Sequence, residues 1–435
     1  FQSKTGDEEL HACGKQFNWK NYKMIHASFY KNTLWQYGLQ ALRYLFPLVL
    51  VPYLTRALGK DGYAVYAYVL SFMGIMQTIA DFGFTLSGTK KVVAHREDKM
   101  ALSKLVGNIT AARLLLLAIL LVATLIISQF IPIMAENVPY VMLAFAAVGL
   151  RALLPDFLFQ GFERMGPLTA RYFTSKGVQV LLTLLLVHSR SDLILVAVAD
   201  IVGSSIGLVW SFVVAKHMFN LGIAKPTVRQ SLKELKDSAV YCVSNVSSSL
   251  FSGFTTIIIG LTLSSTHIAF WSLALTTIVA VQSLYIPIAN SLYPHMLNSR
   301  DFGFARKLAL LAAPTLAIGT AAYCLLSEQI MYVLGGNEYL GAAYVMRMLA
   351  PLLPISFYVM LIGWPVLGAM GRVRTLTLTT LVSGVFSVIS MLALYLSGTL
   401  TLDIICIVRC AMEVVLLLTR VVALRGVLGR KELQV

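Results

Sequence analysis

Gln36, Gln40, Arg43 and Pro47 fall four, three and four residues apart inside an apolar run, a spacing that puts all of them on one face of a helix. An arginine so placed has a definite chemistry. Its guanidinium is a planar fork of donors that fits phosphate oxygens bidentately, where a lysine offers only a point charge. Arg113, Arg151, Arg347 and Arg409 lie in other apolar runs, against one lysine, Lys176, near the end of a run. The candidate set for holding an anionic group is therefore Arg43, Gln40, Arg113, Arg151, Arg347 and Arg409. Arg113 and Arg151 sit toward run ends, where a long side chain can instead reach the membrane surface. Arg409 stands four residues before Glu413, and the two can neutralise each other along one helix.

Carboxylates inside apolar runs are rare and commonly functional, so Asp81 and Asp200 are candidate ion-coupling sites. Asp81 is also the expected partner of Arg43 when the site is empty, and Asp156, near a run end, is expected to reach the interface. Ser71, Gly74, Thr78, Asp81 and Thr85 share a helix face, as do Asn245, Ser248, Ser252 and Thr255, and Ser272, Thr276, Ser283 and Asn290. Hydroxyls alone also serve as glue between helices. A charge left in lipid costs about 2.5 to 3.5 kcal/mol at a helix centre, so five would cost about 12 to 18 kcal/mol, as much as a whole domain's stability. These residues must pair or face water.

Other chemistries lack their residues. The sequence holds no GxxxxGK[ST] phosphate loop, no HExxH and no soluble stretch long enough for a nucleotide-binding domain. His95, His188, His217, His267 and His295 fall mostly in connections or at helix ends and receive no catalytic role. Five cysteines include no CxxC pair, which argues against a disulfide framework and against a metal site. No cofactor is called for, and the energy for transport has to come from a proton or sodium gradient, from the substrate gradient or from partners.

The elements that must position the arginines are membrane spans. Of 435 residues, 57% are hydrophobic and 13% charged, and the mean hydropathy is +0.76. An ordinary soluble domain is roughly 25% charged. At about 20 residues a span, the apolar runs predict about twelve: 33–54, 63–86, 108–130, 138–160, 168–187, 193–215, 239–262, 268–292, 308–327, 341–367, 375–396 and 401–419. The net charge of +15 lies mostly in alternate connections, chiefly Lys90 to Lys104 and Lys216 to Lys236. The positive-inside rule puts those loops and both termini in the cytoplasm and removes any need for a nucleic-acid partner.

The longest polar connection splits the spans six and six, as an internal duplication would. The expected organisation is a polar cytoplasmic tail over 1–32, a six-helix lobe over 33–215, a cytoplasmic loop over 216–238, a second six-helix lobe over 239–424 and a cytoplasmic tail over 425–435. Residues 1–23 read as a tail or as a segment foreign to the natural chain, with Met24 a possible start. Gly203 and Gly207 form a GxxxG, a mark of close helix packing. Prolines at 47, 52, 155, 287, 294, 314, 351, 354 and 365 allow kinks in or at the ends of helices.

One stretch carries a family resemblance. Pro47, then Pro52-Tyr53-Leu54-Thr55-Arg56-Ala57-Leu58-Gly59, Asp61-Gly62-Tyr63, and Asp81-Phe82-Gly83-Phe84 leading into a basic loop resemble the polysaccharide-export flippases of the O-antigen (Wzx) type. Ser291-Leu292-Tyr293-Pro294 is similar to the corresponding place in that family, and Ala64 departs from its common Gly. The resemblance implies an all-α integral membrane protein of the two-lobed fold shared with MATE exporters and lipid II flippases, here around a central cationic cavity. It implies a bacterial inner-membrane location and, as substrate, an undecaprenyl-pyrophosphate-linked oligosaccharide repeat unit. That unit would move from the cytoplasmic to the periplasmic leaflet by alternating access, with a proton antiport as one form of coupling. A polysaccharide polymerase and a chain-length regulator are candidate partners beside the lipid bilayer. The alternatives are another exporter of the same fold, a lipid II flippase or a MATE-like drug or cation antiporter. A cation exporter would want more acidic residues in its lumen. An enzyme of the pathway would need a longer loop to hold its reaction site.

Overall fold

The structure is a computed structural model that describes residues 19–222, 224–286, 288–289, 292–293, 296 and 302–432, with side chains left undescribed at 19–33, 36, 240–241, 243–254 and some other positions. Among the described residues the chain is helical throughout and forms no strand. Lipid dictates this: every backbone N–H and C=O must find its partner inside its own segment. Lipid also explains the surface. Leu115, Ile119, Val122 and Ile126 make an exposed stripe at helical spacing, and Leu378, Val382, Val385, Ile389, Leu392 and Leu396 make another. In water such stripes would be buried against a partner.

The first half of the chain begins with α1 (Trp19–Asp81), α2 (Phe84–Ala94) and α3 (Lys99–Phe130). A straight helix as long as α1 would reach about 95 Å, some three times the hydrocarbon thickness. Gly59, at φ 66° and ψ −175°, breaks it, and residues on both sides of the break line one cavity. Asp98 starts α3 by accepting from the amides of Met100 and Ala101, two donors that a helix start leaves without partners. Next come α4 (Pro132–Ala135), α5 (Val138–Ala152), α6 (Asp156–Gly161), α7 (Met165–Leu186) and α8 (Leu193–Phe219). The second half holds α9 (Val228–Thr262), α10 (Ser265–Ser283), α11 (Phe302–Leu325), α12 (Ser327–Gly335), α13 (Ala343–Leu349), α14 (Leu352–Leu361), α15 (Val373–Leu396) and α16 (Leu402–Glu432).

Among the described residues, by length and composition, seven helices can cross a membrane, or eight with the bent pair Asn337–Leu349 and Leu352–Gly368. Tyr37–Ala94 enters that count as one helix of 58 residues despite the break at Gly59. Several helices outrun the spans expected from hydropathy. α8 ends at Phe219 and α9 starts at Val228, so most of the expected loop over 216–238 is helical, and helix also covers 19–32 and 425–432. The charged ends simply continue helices begun in the apolar runs.

Several spans expected to be continuous are broken, among them 63–86, 138–160 and 341–367. Phe82 (φ 47°) and Gly83 (φ 77°) adopt left-handed conformations that end α1 beside Asp81, and the strain at Phe82 has no glycine to relieve it. In the second half Gly363 and Pro365 interrupt regular α-helix in a π-helical stretch, Ile362–Gly368.

Buried apolar side chains gather in three clusters, and their placement divides the molecule. The largest spans both halves, with Leu54, Tyr63, Tyr68, Trp271, Tyr339 and Leu349, on the side of the Gly59 turn. Among the described residues the other two lie mainly in one half each: Phe84, Val92, Leu102 and Phe157 in the first, with Leu235 of the second half packed against them, and Tyr285, Phe357, Leu361 and Val366 in the second. Among the described residues the halves share their largest core at the Gly59 face and have smaller, mainly separate clusters toward the Lys91 face.

Candidate functional site

A cavity of about 500 Å³ lies among α1, α5, α7, α8 and α10. Arg43 comes from the first arm of α1, Tyr66 from the second, Arg151 from α5, Tyr172, Lys176 and Gln179 from α7, Asp200 from α8, and Trp271, Ser272 and Thr276 from α10. Arg43 is exposed and among the described residues makes a long hydrogen bond to Gln40, 3.3 Å, with its guanidinium 6.0 Å from the centre of the Tyr172 ring. Arg151 donates to Asp200 at 2.5 Å and reaches Gln77 and Ser204 at 3.4 Å each. Lys176 donates to the other oxygen of Asp200 at 3.2 Å and to Gln179 at 2.5 Å. The wall thus carries three cations to one carboxylate. An excess of positive charge on the wall of a partly open, largely apolar cavity attracts an anion.

Close packing of α7 on α8 brings Lys176 and Asp200 together. Ser175 donates from Oγ to the Gly203 carbonyl at 2.7 Å, and Gly207 also faces Ser175. The GxxxG is a helix contact, as expected from the sequence.

The remaining candidates are dispersed. Asp81 pairs with Arg113 at 2.9 Å, not with Arg43, because α3 brings Arg113 against the α1–α2 break. Arg113, 3% exposed, also donates to the Leu154 carbonyl at 2.8 Å, where the chain breaks between α5 and α6, and lies between the Phe84 and Phe157 rings. It clasps two helix breaks and is not on the cavity wall. Arg347 pairs with Glu328 at 2.7 Å in an exposed position, and Arg409 pairs with Glu413 at 2.8 Å within α16, so neither lines the cavity, and nor does Gln40 directly. Asp156 does not reach out to the interface but is held by both guanidinium nitrogens of Arg171. The side chains of Gln36, Asn245, Ser248 and Ser252, and all of Asn290, lie outside the described residues.

Three functional groups escaped the sequence reading. Lys176 was set aside as near a run end, yet Tyr172, Lys176, Gln179 and Thr183 repeat the four, three, four spacing of the Arg43 face. Arg171, inside the expected span 168–187 but not among the candidates, is buried in α7. Arg420, 9% exposed, donates to the Val359 carbonyl just before the π-helical stretch and to Thr380 Oγ1 at 3.3 Å. It serves the broken helix of the second half much as Arg113 serves that of the first.

The halves meet on both faces. At the Gly59 face Thr55 donates to the Leu334 carbonyl at 2.5 Å and Arg56 to the Val333 carbonyl at 2.8 Å, while Tyr63 and Tyr339 pack edge to face at 6.0 Å. At the other face Lys91 binds Glu234 and Asp237, each at 2.7 Å, and Ser87 meets Ser238 at 2.7 Å. The Lys91 hydrogen bond, opposed by a small desolvation, holds the Asp237 carboxyl below its usual range. Asn108 accepts from the Thr227 amide at 3.1 Å, which fastens the start of α9 to α3.

A bundle of this form is the fold of the MATE transporters and of a lipid II flippase. The chain superposes on the lipid II flippase MurJ in an inward closed conformation with a TM-score of 0.72, at 12% identity, covering 91% of this chain and 87% of that one. It superposes on the inward-facing conformation of a multidrug resistance MATE family transporter of the MOP superfamily with a TM-score of 0.67, at 15% identity, covering 89% and 95%. In sequence it is similar to a protein of Shigella dysenteriae designated an O-antigen transporter, 24% identical over 339 residues, 77% of this chain and 85% of that one. The polysaccharide biosynthesis protein family matches residues 29–299, more than half of the chain, and the chain belongs to that family. It is a membrane transport protein rather than an enzyme.

Proposed function

We propose that this protein is a flippase that carries undecaprenyl-pyrophosphate-linked oligosaccharide repeat units from the cytoplasmic to the periplasmic leaflet of a bacterial inner membrane, for O-antigen or a related surface polysaccharide. The observation that carries this reading is the cavity wall, where Arg43, Arg151 and Lys176 outnumber Asp200. The pyrophosphate is the part of such a substrate that lipid rejects and guanidinium groups bind best. About 500 Å³ is the size of an ordinary small-ligand site, so it would take the pyrophosphate and the first sugar while further sugars occupy space opened by movement of the halves.

In this reading the chain crosses the membrane twelve times, six in each half, with both termini and the Lys91 face cytoplasmic, as the basic loops demand. A core shared mainly at the Gly59 face among the described residues supports alternating access with the periplasmic face shut. Arg43, the cation held least by other residues, meets the phosphate first. The similarity to a protein designated an O-antigen transporter favours this substrate over lipid II or a small cation.

The test is export of lipid-linked sugar with membrane abundance measured in parallel. Arg43→Ala should abolish export at normal abundance, and Arg43→Lys, which keeps the charge without the fork, should retain part of it. Normal export by Arg43→Ala would remove the central residue of the mechanism and bring back a MATE-like exporter.

A further inference from the structure

Asp200 stands where an anionic ligand would stand. One carboxylate oxygen accepts from Arg151 Nη1 at 2.5 Å and the other from Lys176 Nζ at 3.2 Å. All three side chains line the cavity and keep some exposure, 24% for Arg151, 26% for Lys176 and 15% for Asp200. A phosphate presents two oxygens at much the same separation as a carboxylate. Without an anion between them, Arg151 and Lys176 would repel each other in a space with little water.

We propose that Asp200 is an internal counter-ion that occupies the place of the substrate's phosphate in the empty protein and is displaced from Arg151 and Lys176 when the phosphate arrives. This rests on the cationic cavity being the substrate site, and it adds a specificity-determining and release-determining role for one residue. A weak anion, with one negative charge spread over two oxygens, yields to a pyrophosphate carrying more charge, whereas a singly charged headgroup gains little from the exchange. The same competition helps release. A transport site must bind well enough to load and weakly enough to empty, and Asp200 can retake its cations as the phosphate leaves. Arg43, with no carboxylate partner among the described residues, lies outside the exchange and supplies first contact.

Titration of the purified full chain in nanodiscs with inorganic pyrophosphate tests this, alongside export in cells. Asp200→Asn should bind pyrophosphate about tenfold tighter or more, the low end of measured couplings between close charge pairs, and should export more slowly. Arg151→Gln and Lys176→Gln should bind more weakly. Unchanged or weaker binding by Asp200→Asn, with the two cation variants weakened as expected, overturns the counter-ion role and leaves the cavity reading standing. Unchanged binding by both cation variants overturns the cavity reading itself. Should Asp200→Asn not accumulate, the double variant Asp200→Asn with Lys176→Gln is compared with Lys176→Gln alone. Tighter binding by the double variant supports the displacement of Asp200 from Arg151, and equal or weaker binding refutes it. Farnesyl pyrophosphate in the same titration separates a lipid headgroup from free pyrophosphate: tighter binding supports the headgroup, and equal binding overturns it as the ligand.

Discussion

Gly203→Ala tests whether α7 and α8 position the cavity charges. A Cβ added at Gly203 would stand 2.4 Å from the Ser175 carbonyl oxygen and 3.1 Å from the Gln179 Cβ. Ordinary contact needs roughly 3.4 Å or more, so the helices must part by roughly 1 Å, and a backbone carbonyl has no rotamer by which to move aside. Lys176 follows Ser175 directly, so the 3.2 Å bond from Lys176 to Asp200 lengthens by a similar amount and is lost. Overpacking costs about 1 to 3 kcal/mol, against which the helix preference of alanine over glycine returns about 0.5 to 1 kcal/mol. The expected outcome is a lower apparent melting temperature of the detergent-solubilised protein and weakened export. Gly207→Ala should be milder, because its Cβ meets the Ser175 hydroxyl at 3.1 Å and the Ser175 Cβ at 3.2 Å, shortfalls of a few tenths of an ångström rather than a backbone clash. Gly74→Ala, with nothing within 4 Å, should melt at or above the parent temperature. If Gly203→Ala melts and exports like Gly74→Ala, the packing argument is wrong.

Asp81→Asn should lower membrane abundance by leaving Arg113 buried without its carboxylate, a loss of about 3 kcal/mol, and Arg113→Gln added to it should recover part. Loss of export at full abundance would instead support Asp81 as an ion-coupling site. The Lys91 clasp should fail in acid. The Asp237 carboxyl is held below its ordinary value of 3.8, so its contribution is complete above that value and is lost as pH falls through the lower folded one. A melting profile from pH 7 to pH 3 should accordingly flatten at its acid end in Asp237→Asn. A reporter active only in the periplasm, fused at Lys225, should stay silent, and a strong signal there would overturn both the orientation and the span count.

The membrane class and the polar faces were legible because each is local. Long apolar runs are what lipid demands of a helix, and the Arg409–Glu413 pair can be read from its four-residue spacing. The partners of the other arginines are not local. Arg113 finds Asp81 32 positions away and Arg151 finds Asp200 49 positions away, and nothing in one apolar run says which other run packs against it. This is why Asp81 was matched to Arg43, and why five arginines looked alike when two line the cavity. The break at Phe82 was hidden for another reason: a phenylalanine in left-handed conformation has no signature in composition or period. Lys176 was legible in principle, through the stripe it forms with Tyr172, Gln179 and Thr183, but its place near a run end concealed it.

The contacts that close the Gly59 face have a consequence for how such proteins diverge. Thr55 and Arg56 donate to the carbonyl oxygens of Leu334 and Val333, not to their side chains. Every amino acid presents the same carbonyl there, so the exposed residue 333 is free to drift, and Leu334 is held only by its packing on the core, while the donors are not free. A search for co-varying positions among relatives would pass over this seam between the halves, although it is one of the two faces on which they are joined. Substituting the donors would expose it, and substituting the exposed Val333 would not.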